Sequence, residues 1–114
     1  MTIKWFPQLK SRSPWFEIYQ LNDKTYAFKE PHHVEEVICY LIMGQHRAIL
    51  FDTGMGIGDI RAEVTAITSL PIVVVNSHCH YDHIGGNHQF EEIWSYEHPL
   101  RTAALKRALA TRNA

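Results

Sequence analysis

Between Asn76 and Gly86 the sequence reads NSHCHYDHIGG, which puts His78, His80, Asp82 and His83 within six consecutive residues. Imidazole and carboxylate groups bind metal ions. In this mixture they suit Zn²⁺ first, with Fe or Mn at a more oxygen-rich position. The segment directly follows the apolar run PIVVV. On an extended chain leaving such a strand, residues i and i+2 point the same way, so His78 and His80 can grip one ion while Cys79 turns aside. Asp82 and His83 come after the chain has begun to bend and face a neighbouring position. The pattern therefore offers two ligands to each of two adjacent metals. Gly85 and Gly86 remove side chains just where a backbone must pass close to the site. A lone HxH reads as packing or surface histidines. Four ligands in this order, at the end of a buried strand, read as a metal site.

The elements that must position the motif are legible along the chain. WFEIY, from Trp15 to Tyr19, suits a strand, and LNDKTYAF turns at Asn22 and Asp23 into a second. Pro31 interrupts the pattern. VICYLIM, a turn at Gly44-Gln45 and RAILF then form a hairpin buried on at least one face. DTGMGIGD is a glycine-rich loop that no regular element could occupy. Asp59 is placed to cap a helix running to about Thr68, with Ile60, Val64 and Ile67 at i, i+4 and i+7. Pro71 opens the strand PIVVV, whose unbroken β-branched run implies burial on both faces. After the motif, EIWSY reads as a short strand. HPLRTAALKRALATRNA reads as a final helix with Pro99 in its first turn.

The segment HCHYDHIGG resembles the HxHxDHxGG signature of the metallo-β-lactamase-fold hydrolases. AILFDTGMG resembles the Asp-containing loop upstream of it, in the right order and at family-like spacing. The resemblance implies an αββα sandwich with a dinuclear site at one edge of its sheets. This chain corresponds to the first half of it: one partial domain over residues 1–114, α+β, with a largely antiparallel sheet and two helices. It further implies two zinc ions and a metal-bound hydroxide that attacks a carbonyl or phosphoryl centre. His78 and His80 would bind the first ion, and Asp82 and His83 the second. Asp82 would also orient the nucleophilic water and handle its proton. Asp52, taken alone, reads as a turn residue in DTG. Beside the motif, the resemblance makes it the residue that holds the motif loop by hydrogen bonds.

The family's later motifs, which supply a third His, a bridging Asp and a last His, are not found in this sequence. His32 and His33 read as loop residues, His46 as a turn residue, His88 as packed or exposed, and His98 as a helix start. Two ligands per ion fall short of the three that catalytic zinc normally takes from protein. The expected activity is hydrolysis of an ester, thioester, lactone, lactam or phosphodiester. The alternative is a non-catalytic metal-binding or assembly module whose site is completed by a second half or another subunit. Cys79 acting as a nucleophile beside His78 or His80 lacks an orienting third group and an oxyanion motif.

A net charge of -1 with signs interspersed points away from nucleic acid and membrane surfaces. MTIKWFPQLK has no apolar signal core, and no apolar run approaches the ~20 residues of a spanning helix, so a cytoplasmic protein is expected. Cys39 within VICYLIM behaves as a small hydrophobe, and two cysteines make no disulfide scaffold. Trp5, Trp15 and Trp94 are expected to be core or interface anchors. A half-sandwich would also show water an apolar sheet face. We expect a homo-oligomer or a missing second half to cover that face.

Overall fold

The alternation of side chains along VICYLIM and RAILF builds the centre of the molecule. In the computed structural model, which describes residues 3–32, 37–77 and 81–95 and leaves the side chains of Tyr81, Asp82 and Ser95 undescribed, these segments are β4 (Ile38–Met43) and β5 (Ala48–Phe51). They pair antiparallel with Leu41 opposite Leu50. Cys39, Leu41, Ala48 and Leu50 are buried, while Tyr40, Ile42, Ile49 and Phe51 between them are exposed. The period of two thus separates a core face from an outer face. The backbone amide of Gly44 donates to the Arg47 carbonyl at 2.8 Å, which closes the turn.

Among the described residues, the other strands extend this pair into one seven-stranded sheet in sequence order. β1 (Gln8–Leu9), β2 (Glu17–Asn22) and β3 (Thr25–Lys29) precede the central hairpin. Strands β1 to β5 form an antiparallel meander. β6 (Ile72–Asn76) and β7 (Glu92–Ser95) then join in parallel. Each parallel step needs a crossover, and α1 (Ile60–Ile67) makes the one from β5 to β6. β6, hydrogen-bonded to parallel neighbours on both sides, holds the β-branched run. Val73 and Val74, on opposite faces, are both buried. Ile60 and Val64 of α1 share one core with Ile18, Phe28, Leu41, Leu50, Val74 and Ile93.

The helix starts and stops where local chemistry says it should. The Asp59 side chain accepts a hydrogen bond from the Ala62 amide at 3.0 Å, and Thr68 leaves the helix in an extended conformation. Removing that acceptor with Asp59→Ala is expected to cost about 1 kcal/mol, the usual worth of such a cap. Urea unfolding checks this as a lower midpoint with an unchanged slope. Glu63, buried on the same helix, accepts the Arg12 amide at 2.8 Å and the Ser13 amide at 3.0 Å, and so ties the N-terminal segment down.

The architecture is the expected α+β one, with a mostly antiparallel sheet. Several details differ. β1 has no counterpart in the sequence reading. β2 starts two residues late, because Phe16 turns back on the Ser13 carbonyl at 3.4 Å. Trp5 and Trp94 are 80% and 61% exposed, so neither anchors a core within this chain. The second expected helix, beginning near Pro99, lies outside the described residues, as do His33, His78, Cys79, His80 and His98.

Candidate metal centre

The site takes shape at the C-terminal ends of β5 and β6. The Asp52 amide donates to the Val75 carbonyl at 2.8 Å, which prolongs the parallel ladder by one residue. The chain then leaves the sheet, and Asp52 itself takes a positive φ of 69°. Aspartate is among the few non-glycine residues that visit this region readily, because its short polar side chain can bond locally. Here the side chain is turned to the end of β6. Its Oδ1 accepts the Ser77 amide at 2.7 Å, and its Oδ2 accepts the Ser77 hydroxyl at 2.6 Å. The same Oδ2 lies 2.9 Å from Nδ1 of His83.

Asp52 therefore holds both flanks of the His78–His80 segment, from Ser77 before it to His83 in the one-turn helix α2 (Tyr81–Ile84) after it. The consequence is electronic as well as geometric. A carboxylate only accepts hydrogen bonds, so the contact puts an imidazole hydrogen on Nδ1, and in the neutral ring the lone pair is then on Nε2. A ring oriented this way by a carboxylate is the usual state of a metal-ligating histidine. The donor chemistry at His83 thus fits a metal ion.

A second brace lies beneath the first. Thr53, Asn76 and Asn87 are all buried polar residues. The Thr53 amide donates to the His83 carbonyl at 2.8 Å, and the Thr53 hydroxyl donates to Oδ1 of Asn87 at 2.6 Å. The Gly86 amide donates in turn to the Thr53 hydroxyl oxygen at 3.1 Å. Asn76 and Asn87 exchange amide hydrogen bonds at 2.8 and 3.2 Å. Buried polar groups are costly unless paired, and each side chain of this set has a partner within it. It locks the end of β6, the Asp52 loop and the turn after α2 into one unit. Sequence reasoning assigns Asn76, Asn87 and Thr53 no role. The available signal is a polar residue closing a β-branched strand and another directly after Gly-Gly.

Asp52 and His83 are therefore brought together. His78 and His80 lie outside the described residues, and Asp82 is placed in α2 without a described side chain. Among the described residues, no group of three or more His, Cys, Asp or Glu side chains converges as a metal set. His88 is exposed, with Nδ1 at 3.1 Å from the Gly85 carbonyl, and His46 is exposed. His32 places Nε2 3.1 Å from the Pro14 carbonyl and its ring 5.8 Å from that of Trp15. Cys39 is a buried free thiol. Burial above all, with the Glu30 and Asp52 carboxylates, pushes its pKa well up, which makes it an inert core residue.

The family model described as the metallo-beta-lactamase superfamily matches residues 34–108, well over half of the chain. The chain belongs to the metallo-β-lactamase superfamily. Solved structures agree on the fold. The metallo-β-lactamase from Erythrobacter litoralis, crystallised with β-mercaptoethanol in its active site, superposes with a TM-score of 0.59 at 17% identity. That match covers 90% of this chain and 49% of the other. TMB-1, in a structure concerned with substrate and inhibitor binding, superposes with a TM-score of 0.60 at 18% identity, covering 83% of this chain and 48% of its own. At these identities the likeness shows the fold alone. No curated protein matches the sequence significantly. The chain spans about half the length of the superfamily structures it resembles, and its seven-stranded sheet with α1 is a partial metallo-β-lactamase fold.

Proposed function

We propose that this chain supplies the metal-binding half of a metal-dependent hydrolase site. The observation that carries this reading is Asp52, which fixes both flanks of HCHYDH and sets the hydrogen of His83 on Nδ1. His78 and His80 would hold one zinc ion, and Asp82 and His83 the second, with Fe or Mn as alternatives. When bound, the metal supplies Lewis acidity and brings the pKa of a coordinated water to about 7. The chain's own part is then to orient and exclude. Asp82 would position the attacking water and take its proton, and Asp52 would keep the His83 ring aimed. The substrate class is an ester, thioester, lactone, lactam or phosphodiester.

A second reading has its own support. Two ligands per ion fall short of the three of catalytic zinc, and the chain covers only half of its structural relatives. The outer sheet face also exposes Tyr40, Ile42, Ile49, Phe51 and Trp94, and Ile42, Ile49 and Trp94 help line a groove of about 360 Å³. An apolar face of this kind supports reading it as an interface. In this reading the chain is a metal-binding or assembly module, non-catalytic alone. Its site is completed when a second half or another copy of the chain covers that face. A cytoplasmic location accords with the free thiol of Cys39. Among the described residues no helix is long and apolar enough to cross a membrane.

One preparation separates these readings. The purified chain is titrated with Co²⁺ and Zn²⁺, assayed on an ester, a thioester, a β-lactam and a phosphodiester, and sized by light scattering with a hydrophobic dye present. The hydrolase reading expects metal uptake and turnover of at least one substrate. The module reading expects weak uptake, no turnover, and either a dimer or strong dye binding. Absence of any metal uptake rejects both, and a dye-silent monomer rejects the covered face.

A further inference from the structure

Glu30 directly follows β3 and is 1% exposed, an unusual setting for a carboxylate. Its oxygens are divided between two donors. Oε1 accepts the Trp15 indole N–H at 2.7 Å, and Oε2 accepts the Met55 amide at 3.0 Å. Gly54 makes room for it, because a Cβ there would overlap Oε2, and Gly54 also has a φ of +75°. The side chain therefore does not cap its own strand. It reaches across to the loop that follows Asp52.

That loop is the surface on which the motif turn rests. The Gly85 amide donates to the Gly54 carbonyl at 2.8 Å. The Gly85 backbone packs directly on the Met55 carbonyl and the Gly56 amide, with no room for a Cβ between them. Pinning the Met55 N–H thus sets the height of the seat under Gly85, two residues from His83.

We infer that Glu30, held by Trp15, is a positioning residue for the metal motif: its carboxylate pins Met55 and thereby fixes the Gly54–Gly56 backbone against Gly85. The metal part of this inference rests on the proposed function; the clamp itself does not. Glu63 supplies the internal control. It is an equally buried carboxylate accepting two amides, but those belong to Arg12 and Ser13.

The test compares Glu30→Gln, Trp15→Phe and Glu63→Gln in the full chain. Amide exchange is read without metal, and Co²⁺ affinity with its visible spectrum is read separately. Glu30→Gln replaces one acceptor oxygen by a donor that faces the Met55 or Trp15 N–H. It is expected to speed exchange at Thr53, Met55 and Gly85 about tenfold over Leu41 and Val74, and to weaken Co²⁺ binding about tenfold. Trp15→Phe, which keeps an aromatic ring and loses the donor, is expected to show the same pattern more weakly. Glu63→Gln is expected to shift exchange near Arg12 and leave the Co²⁺ spectrum as in the parent. Uniform exchange changes in Glu30→Gln, or none at Gly85 and Thr53, overturn the clamp. A parent chain that takes up no Co²⁺ rejects the metal reading alone, and the exchange pattern still decides the clamp.

Discussion

Asp52→Asn is expected to leave the fold standing and to move the hydrogen of His83 from Nδ1 to Nε2. In the parent, Oδ1 accepts the Ser77 amide and Oδ2 accepts both the Ser77 hydroxyl and His83 Nδ1. The Ser77 amide can only donate, so the side-chain oxygen of the substituted asparagine must face it. The NH₂ group then occupies the place of Oδ2. From there it can donate to the Ser77 oxygen, which rotates its hydrogen elsewhere, and to Nδ1 of His83, provided that nitrogen carries the lone pair. These contacts with Ser77 and His83 are all kept only if the imidazole switches tautomer. Asparagine also tolerates the φ of 69°. The lone pair is thereby moved to the nitrogen facing position 52, and Nε2 would offer none to a metal ion. Nitrogen-15 spectra of the His83 ring read the switch directly, and zinc affinity is expected to fall 10- to 100-fold. An unchanged Nδ1–H tautomer in the variant would show that Asp52 does not set the ring. Asp52→Ala is harsher. It leaves three donors without their charged acceptor and puts an alanine in the left-handed region, for an expected loss of about 3 kcal/mol in urea unfolding.

What the sequence shows and what it hides follow from the range over which each interaction acts. The β4–β5 hairpin and α1 are legible because their signals are local: alternation on either side of Gly44, and a cap at Asp59 ahead of Ile60, Val64 and Ile67 at helical spacing. β1 carries no such signal. Its two residues are a strand only because β2 pairs with them, and the Gln20 amide reaches the Pro7 carbonyl at 2.9 Å. Trp15 reads as a strand residue on aromatic propensity. Tertiary context decides otherwise, because its indole N–H serves Glu30 at 2.7 Å. The site divides in the same way. The ligand types in HCHYDH stand next to one another, so the motif is visible. Its supports are not, because Thr53 and Asn87 are 34 residues apart in the chain and Met55 and Glu30 are 25 apart. A threonine, two asparagines and a glutamate before a proline are ordinary one at a time. Only the fold makes them a frame.

Gly85→Ala tests that frame where it is tightest. The position has no left-handed backbone to protect, so space alone decides. A Cβ on Gly85 would stand 2.7 Å from the Gly56 nitrogen and overlap the Met55 carbonyl. Both obstacles are backbone, and neither can rotate away. Retreat of the Gly54–Gly56 loop would break the hydrogen bond from Gly85 to Gly54 at 2.8 Å and that from Met55 to Glu30 at 3.0 Å. Retreat of the motif turn would break the contact of Thr53 with the His83 carbonyl at 2.8 Å. Overpacking of a well-filled interior costs about 1–3 kcal/mol, and with no soft neighbour the expected loss here is about 3 kcal/mol. Gly44→Ala is the comparison. Its Cβ would meet the Arg47 carbonyl at 2.6 Å, but in an exposed hairpin turn that can open toward solvent, so about 1 kcal/mol is expected. Urea unfolding ranks the two variants, and the His83 ring signals report whether Asp52 still holds the imidazole. If Gly85→Ala matches the parent within about 1 kcal/mol with those signals in place, the seat beneath the motif is soft, and the precision of the site must come from the side chains of Asp52 and Asn87 instead.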